Sequence, residues 1–118
     1  SEGHGASLTC ELESVKLKTD SSVNLGVIVM EWVTNAFKYA YPNGEGEVRV
    51  KLKRVGDGKG ELVVEDDGVG RAEGPAKGSG LGTRIVSAMA RTIGAEVDYS
   101  PRQPGTSARL AFPFAAGS

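Results

Sequence analysis

Cysteine is almost missing from this 118-residue chain: Cys10 stands alone. No internal disulfide can form and no cysteine-based metal site exists, which fits a reducing compartment and makes the cytoplasm the expected location. No apolar run is long enough to span a bilayer and no signal-peptide pattern is present, so no membrane contact is expected of this domain. Neither sign of charge dominates, with Lys+Arg 14 against Asp+Glu 15. That balance argues against a nucleic-acid-binding face, which needs a basic excess to engage a phosphate backbone, but leaves a bound nucleotide open. No initiator Met opens the chain, and the small-residue stretch from Ser1 to Ser7 reads as linker or cloning remnant. Residues 1–7 are therefore set outside the fold, 8–114 form one expected domain, and 115–118 form a tail.

What the chain does have is glycine, 17 in all, most of it gathered at 44–46, 56–60, 68–82 and 94–105. Between these clusters the hydrophobic pattern changes period. Residues 8–18 alternate and predict one or two short half-buried strands. Asp20-Ser21-Ser22 reads as a helix start, and the apolar stretch from Val23 to Tyr41 predicts a long helix ending at Pro42-Asn43-Gly44. Val48, Val50 and Leu52 alternate with Arg49, Lys51 and Lys53, and Leu62-Val63-Val64 follows a Gly-rich turn, predicting two antiparallel strands. A loop from Asp66 to Gly82 leads into a helix carrying Ile85, Val86, Met89, Ala90 and Ile93, stopped by Gly94. Two last strands are expected, from Glu96 and from Ala108. The order predicts an α/β (α+β) two-layer sandwich, its mixed, largely antiparallel sheet carrying helices on one face.

The first long helix is apolar around most of its circumference, so its polar residues carry the information. At about 100° per residue, Asn24, Glu31, Asn35 and Lys38 fall within an arc of roughly 60°. Asn35 offers a neutral oxygen to Mg²⁺, Glu31 can hold or polarise a metal-bound water, and Lys38 can meet a phosphate. A solvated helix face accounts for the same residues, although such a face is ordinarily wider.

Two glycine clusters follow. Glu65-Asp66-Asp67-Gly68-Val69-Gly70 comes directly after a predicted strand. A sheet-oriented Asp66 there can accept from an exocyclic amine such as adenine N6, with Gly68 and Gly70 leaving room for the base. An Asp-Gly turn is the plainer alternative. Gly78-Ser79-Gly80-Leu81-Gly82-Thr83 stands before a helix, where unpaired N–H groups and the dipole favour a phosphate. Its spacing is neither that of the dinucleotide fingerprint nor that of a Walker loop. The nine residues from Arg71 to Ser79 lack a large apolar anchor and could serve as a lid. From it Lys77 would either reach a phosphate or stay solvated.

Taken in order, Glu31-x-x-x-Asn35-Ala36-x-Lys38-Tyr39, Asp66-x-Gly68-x-Gly70 and Gly78-x-Gly80-x-Gly82 resemble the boxes of the Bergerat-fold (GHKL) ATPases over roughly residues 8 to 114. Within that superfamily the stretch from Val29 to Gly46 and the run from Gly80 to Val86 are most similar to the catalytic domains of HWE and related second-type bacterial sensor histidine kinases. Met30 and Trp32 depart from the residues more common in that helix. The absence of Phe between Asp67 and Gly80 fits the short-lid subgroup. The resemblance implies Mg²⁺ ligation by Asn35, assistance near the γ-phosphate by Glu31, phosphate contact by Lys38, Tyr39 near adenine, and Asp66 on its amine. Gly105-Thr106 matches the last nucleotide-side box. Thr106 would then sit beside Asp66, or else be a strand-entry threonine without a ligand.

The resemblance also implies ATP and Mg²⁺ as cofactors and, as partners, a helical dimerisation and phosphoacceptor domain of the same parent kinase and a response-regulator receiver. His4, the one histidine, lies in Gly3-His4-Gly5 and reads as tag or linker rather than acceptor. Two rival readings share the ATP boxes: a serine kinase of the anti-sigma-factor type, and a nucleotide-gated interaction module without catalysis.

Overall fold

The computed structural model describes residues 6–40, 46–68, 80–101 and 105–114. Five strands form one sheet in the order β1-β2-β3-β5-β4. They are β1 (Ala6–Leu12), β2 (Gly46–Gly56), β3 (Lys59–Asp66), β4 (Glu96–Pro101) and β5 (Thr106–Pro113). β1 runs parallel to β2 and every other pair is antiparallel, so the sheet is mixed as expected. Two helices cover one face: α1 (Thr19–Asn35), prolonged by a π-helical turn (Ala36–Ala40), and α2 (Gly80–Thr92).

Alternation in β2, β3 and β5 builds the floor of the core. Register lines up Val50, Val64 and Ala108 in one row and Leu52, Leu62 and Leu110 in the next. All but the half-buried Leu52 are buried. At the hairpin end Gly60 lies opposite Phe112, and a Cβ there would come within 2.5 Å of the phenyl Cζ. The missing side chain makes room for the ring.

From above, α1 supplies Leu25, Ile28 and Trp32 to the core, the π turn adds Ala36, and α2 supplies Val86 and Ala90. These spacings bring each set onto one face of its helix. Trp32 reaches across to β4, where its ring meets Tyr99 edge-on with centroids 5.9 Å apart. Its Nε1–H also donates to the Tyr99 hydroxyl at 3.3 Å, joining the first helix to the far edge strand.

Several expectations are corrected. β1 forms, but Ser7–Leu12 is exposed rather than half-buried, with Leu8 at 52% and Leu12 at 64%. It is the edge strand, and the helical layer packs over β2 and β3 instead. The strand starts at Ala6, so residues 6 and 7, set outside the fold above, belong to it. Residues 13–18 form no second strand; Glu13 is pinned to β2 by its N–H on the Leu52 carbonyl at 2.8 Å.

Asp20-Ser21-Ser22 does not cap α1 either. Lys18 holds the cap position without a side-chain hydrogen bond, and Asp20 sits inside the first turn, where its charge still favours the positive end of the helix dipole. The α-helix ends at Asn35 and opens into the π turn instead of running straight to Tyr41. Residues 41–45 lie outside the described residues.

The stop at Gly94 has its expected form. Ala95 N–H bonds the Ala90 carbonyl at 2.8 Å and Gly94 N–H bonds that of Arg91 at 3.1 Å. Gly94 takes φ +71°, the left-handed residue of a Schellman cap.

A contrast within α1 tests which face is buried. Ile28 is fully enclosed, whereas Met30, two residues on, is 69% exposed. Ile28→Ala should lower unfolding free energy in urea by about 2–5 kcal/mol. Met30→Ala should change it by no more than about 0.5 kcal/mol.

Candidate functional site

Topology decides which end of the layer carries the site. Register places Val48 near the start of β2, Asp66 at the end of β3 and Thr106 at the start of β5 in one row. The π turn that ends the first helix packs on β2 and β3. α2 leaves its Schellman cap to enter β4 at Glu96, which lies opposite Ala111 near the far end of β5. Its C-terminus is therefore remote from the Asp66 row and its N-terminus is directed toward that row. Thus α1 and α2 run antiparallel, and the last turn of one and the first turn of the other share the end of the sheet marked by Asp66.

Glu31 and Asn35, one turn apart on α1, are both half-buried and joined by a hydrogen bond. Asn35 Nδ2 donates to Glu31 Oε2 at 2.9 Å. A carboxylate only accepts, so the amide must give it the NH₂ side, which leaves Asn35 Oδ1 on the other side of the amide as an oxygen acceptor. Asn24, farther back on the stripe, is also half-buried. Lys38 is exposed and lies in the π turn, whose wider i→i+5 winding sets it back from the line drawn for an ideal α-helix. Tyr39 has its backbone in the same turn, and its side chain lies outside the described residues.

Asp66 is the buried charged residue of the described chain, 6% exposed on the helix-covered face. Its Oδ1 accepts the Gly68 N–H at 3.1 Å, so the expected Asp-Gly turn and an oriented carboxylate are the same feature. Thr106 lies directly opposite in register and is half-buried. Before it comes Gly105, buried with φ +103°, where a Cβ would overlap the Asp66 carbonyl oxygen and come within 2.8 Å of Asp67 Cα. Two strand ends thus meet through a bare α-carbon.

α2 begins at Gly80, so Gly80, Leu81, Gly82 and Thr83 form its first turn instead of preceding it. The chemistry expected of them survives that shift, because first-turn N–H groups have no partner inside the helix. Gly70, Lys77, Gly78 and Ser79, and the lid expected over Arg71–Ser79, lie outside the described residues.

The face of the sheet turned away from the helices holds a charge network that the sequence reading did not single out. Arg49 meets Glu47 at 3.0 Å, Glu65 at 3.2 Å and Asp67 through both terminal nitrogens at 2.8 and 2.9 Å. Its guanidinium is pushed above its ordinary basicity, chiefly by the hydrogen bonds to Asp67, so it stays a cation throughout the accessible range. Glu47 is held below the usual carboxylate range by the Thr9 hydroxyl first and Arg49 second. The available signal was the alternation of charges along β2 and β3, but only the register pairs Arg49 with Glu65.

At the opposite end of the layer, Leu17, Lys18, Thr92, Ile93 and Phe114 help line a groove of about 450 Å³. It lies where α1 begins and α2 ends, away from every expected site residue. Among the described residues no helix is long and apolar enough to cross a membrane.

A mixed sheet in this order beneath antiparallel helices, with a buried carboxylate at a strand end and a Glu/Asn pair near the end of the first helix, is the Bergerat arrangement. The chain belongs to the histidine kinase-, DNA gyrase B- and HSP90-like ATPase family, whose description matches residues 20–116. It is 28% identical over 118 residues to blue-light-activated histidine kinase 2 of Erythrobacter litoralis, covering 96% of this chain and 34% of that protein. It is 29% identical to the nitrate/nitrite sensor protein NarQ of Escherichia coli, covering 93% of this chain and 19% of that one. The chain therefore spans 34% and 19% of the length of these two curated relatives. Among solved structures, the histidine kinase domain of the E. litoralis EL346 blue-light-activated histidine kinase superposes with TM-score 0.84 at 25% identity, over 93% of this chain and 52% of that one. The mycobacterial sensor histidine kinase MprB gives 0.78 at 25% identity, over 94% and 83%.

The bare α-carbon is open to test. Gly105→Ala places a methyl against the Asp66 carbonyl at a backbone angle unsuited to alanine. It should lower unfolding free energy by about 1–3 kcal/mol, read as a lower urea midpoint at unchanged slope.

Proposed function

We propose that this chain is the Mg-ATP-binding catalytic domain of a bacterial sensor histidine kinase of the HWE or a related second-type subgroup. It transfers the γ-phosphoryl group of ATP to a histidine on a separate helical dimerisation domain. The observation that carries the reading is the Glu31–Asn35 hydrogen bond, which presents Asn35 Oδ1 at the end of the layer where Asp66 and Thr106 pair.

The donor set fits magnesium, which prefers oxygen, takes few protein ligands and keeps its waters and the substrate phosphates for the remainder. Asn35 Oδ1 would hold the ion directly and Glu31 would hold one of its waters. When bound, Mg²⁺ neutralises charge on the β- and γ-phosphates. Lys38 meets the triphosphate, and the first-turn amides of Gly80, Leu81 and Gly82 receive it. Gly78, Ser79 and Lys77 complete the cradle in this reading, with Gly68 and Gly70 beside the base. Asp66 accepts from the adenine amine with Thr106 at its side, and Tyr39 lies near the ring.

The domain works by positioning and charge neutralisation more than by covalent chemistry. A response-regulator receiver would then take the phosphoryl group from the histidine. A cytoplasmic setting accords with the lone Cys10.

Calorimetric titration with ATP, with and without Mg²⁺, tests the assignment of Asn35. Asn35→Ala should weaken the Mg²⁺-dependent part of binding by about tenfold or more and leave the Mg²⁺-free part close to wild type. Equal heats for both proteins would remove Asn35 from the metal site.

A further inference from the structure

The guanidinium of Arg49 gathers three carboxylates from two stretches of chain: Glu47 on its own strand, and Glu65 on β3 with Asp67 one residue beyond the last residue of β3. Its grip on Asp67 differs in kind from the others. Two parallel N–H···O bonds at 2.8 and 2.9 Å fix the rotation of that carboxylate as well as its position. Asp67 is the immediate neighbour of Asp66, and the two side chains leave the sheet on opposite faces, Asp66 toward the helices and Asp67 toward Arg49. One planar peptide joins them, so the hold on Asp67 restrains the backbone from which Asp66 projects, while the Gly68 N–H on Oδ1 restrains the carboxyl itself.

The same peptide is boxed on its other side by Gly105, whose absent side chain lets the strand close on both Asp66 and Asp67. Exposed ion pairs ordinarily contribute only about 0–1 kcal/mol. Arg49 is half-buried but Asp67 is exposed, so the pair itself adds little stability, and a two-pronged clamp at the exit of a central strand is better explained by what it aims.

We propose that Arg49 is a positioning residue for base recognition: it clamps Asp67 from behind the sheet and thereby sets the Asp66 carboxyl against the exocyclic amine of adenine. The proposal rests on the reading above in which Asp66 accepts from that amine. The fork does the work and not the charge alone, since a lysine keeps the cation but cannot fix a carboxylate's rotation.

The experiment compares two probes by calorimetry on the full chain in Mg²⁺: ATP, and purine riboside triphosphate, which differs by lacking the 6-amino group. Wild type should prefer ATP and Asp66→Asn should lose that preference. Arg49→Ala should weaken ATP by about tenfold while leaving purine riboside triphosphate within about twofold of wild type. Arg49→Lys should fail to restore the preference. Asp67→Asn breaks the clamp from its other side and should act in the same direction; it decides the matter if Arg49→Ala does not fold by circular dichroism. An Arg49→Ala protein that keeps the wild-type preference, or that weakens both nucleotides equally, overturns the positioning role and leaves the Asp66 reading standing. A wild type indifferent between the two nucleotides overturns the Asp66 reading and the proposal with it.

Discussion

The closure of β5 onto the end of β3, through Gly105 against the Asp66 carbonyl, is the constraint on which the rest of the structure depends. Any side chain at that point would push the start of β5 away and break the pairing of Asp66 with Thr106. That pair is the polar end of an otherwise apolar floor whose next rows are Val50, Val64 and Ala108, then Leu52, Leu62 and Leu110. The buried carboxylate is tolerable because its backbone is held on both sides and its Oδ1 already receives the Gly68 N–H. An unpartnered charge at that depth would cost several kcal/mol, of order 2–7 even for a neutral polar group.

From that row the placement of the helices follows. The first helix must end over the strand ends where the chain returns into β2, and α2 must begin there because its Schellman cap delivers it into β4 at the other end. A carboxylate, an amide oxygen and a set of first-turn amides are thereby brought to one end of a two-layer domain without any one element carrying them all. The π turn belongs to this arrangement. It lies where a straight helix would have carried Lys38 along the stripe, and it leaves that side chain exposed at the margin of the Glu31–Asn35 pair.

Much of this was legible in the sequence for a physical reason: buried strands and amphipathic helices print their period on the chain. Val48, Val50 and Leu52, or Val86, Met89, Ala90 and Ile93, could be assigned to a face directly. Glu31 and Asn35 stood out because polar residues on a nearly covered helix are costly unless they do something. What could not be read was set by tertiary context. β1 alternates like a half-buried strand, yet it lies at an edge that the helices leave bare, so Leu8 and Leu12 stay exposed although they pair with Val48 and Leu52. Asp20-Ser21-Ser22 has capping chemistry, but the chain enters the helix earlier, at Thr19. The π turn has no sequence period of its own, and the Arg49 cluster exists only once β2 and β3 are in register.

That cluster also explains how a chain with 14 basic and 15 acidic residues can serve a tetra-anionic ligand without a basic surface. On the back of the sheet Arg49 and Lys51 are committed to Glu47, Glu65 and Asp67, and Arg109 to Glu61 and Asp98. Charges spent there are neutralised locally and add little field at the helix face, because separations beyond a Debye length of about 8–10 Å are screened. In the proposed reading, attraction for phosphate comes from groups near the ligand itself: Lys38, a metal held by an amide oxygen, and the dipole end of α2. The two faces of the sheet thus divide the labour, one fixing the backbone through charge pairs and the other presenting sparse polar groups in an apolar setting, where each counts for more than it would in water.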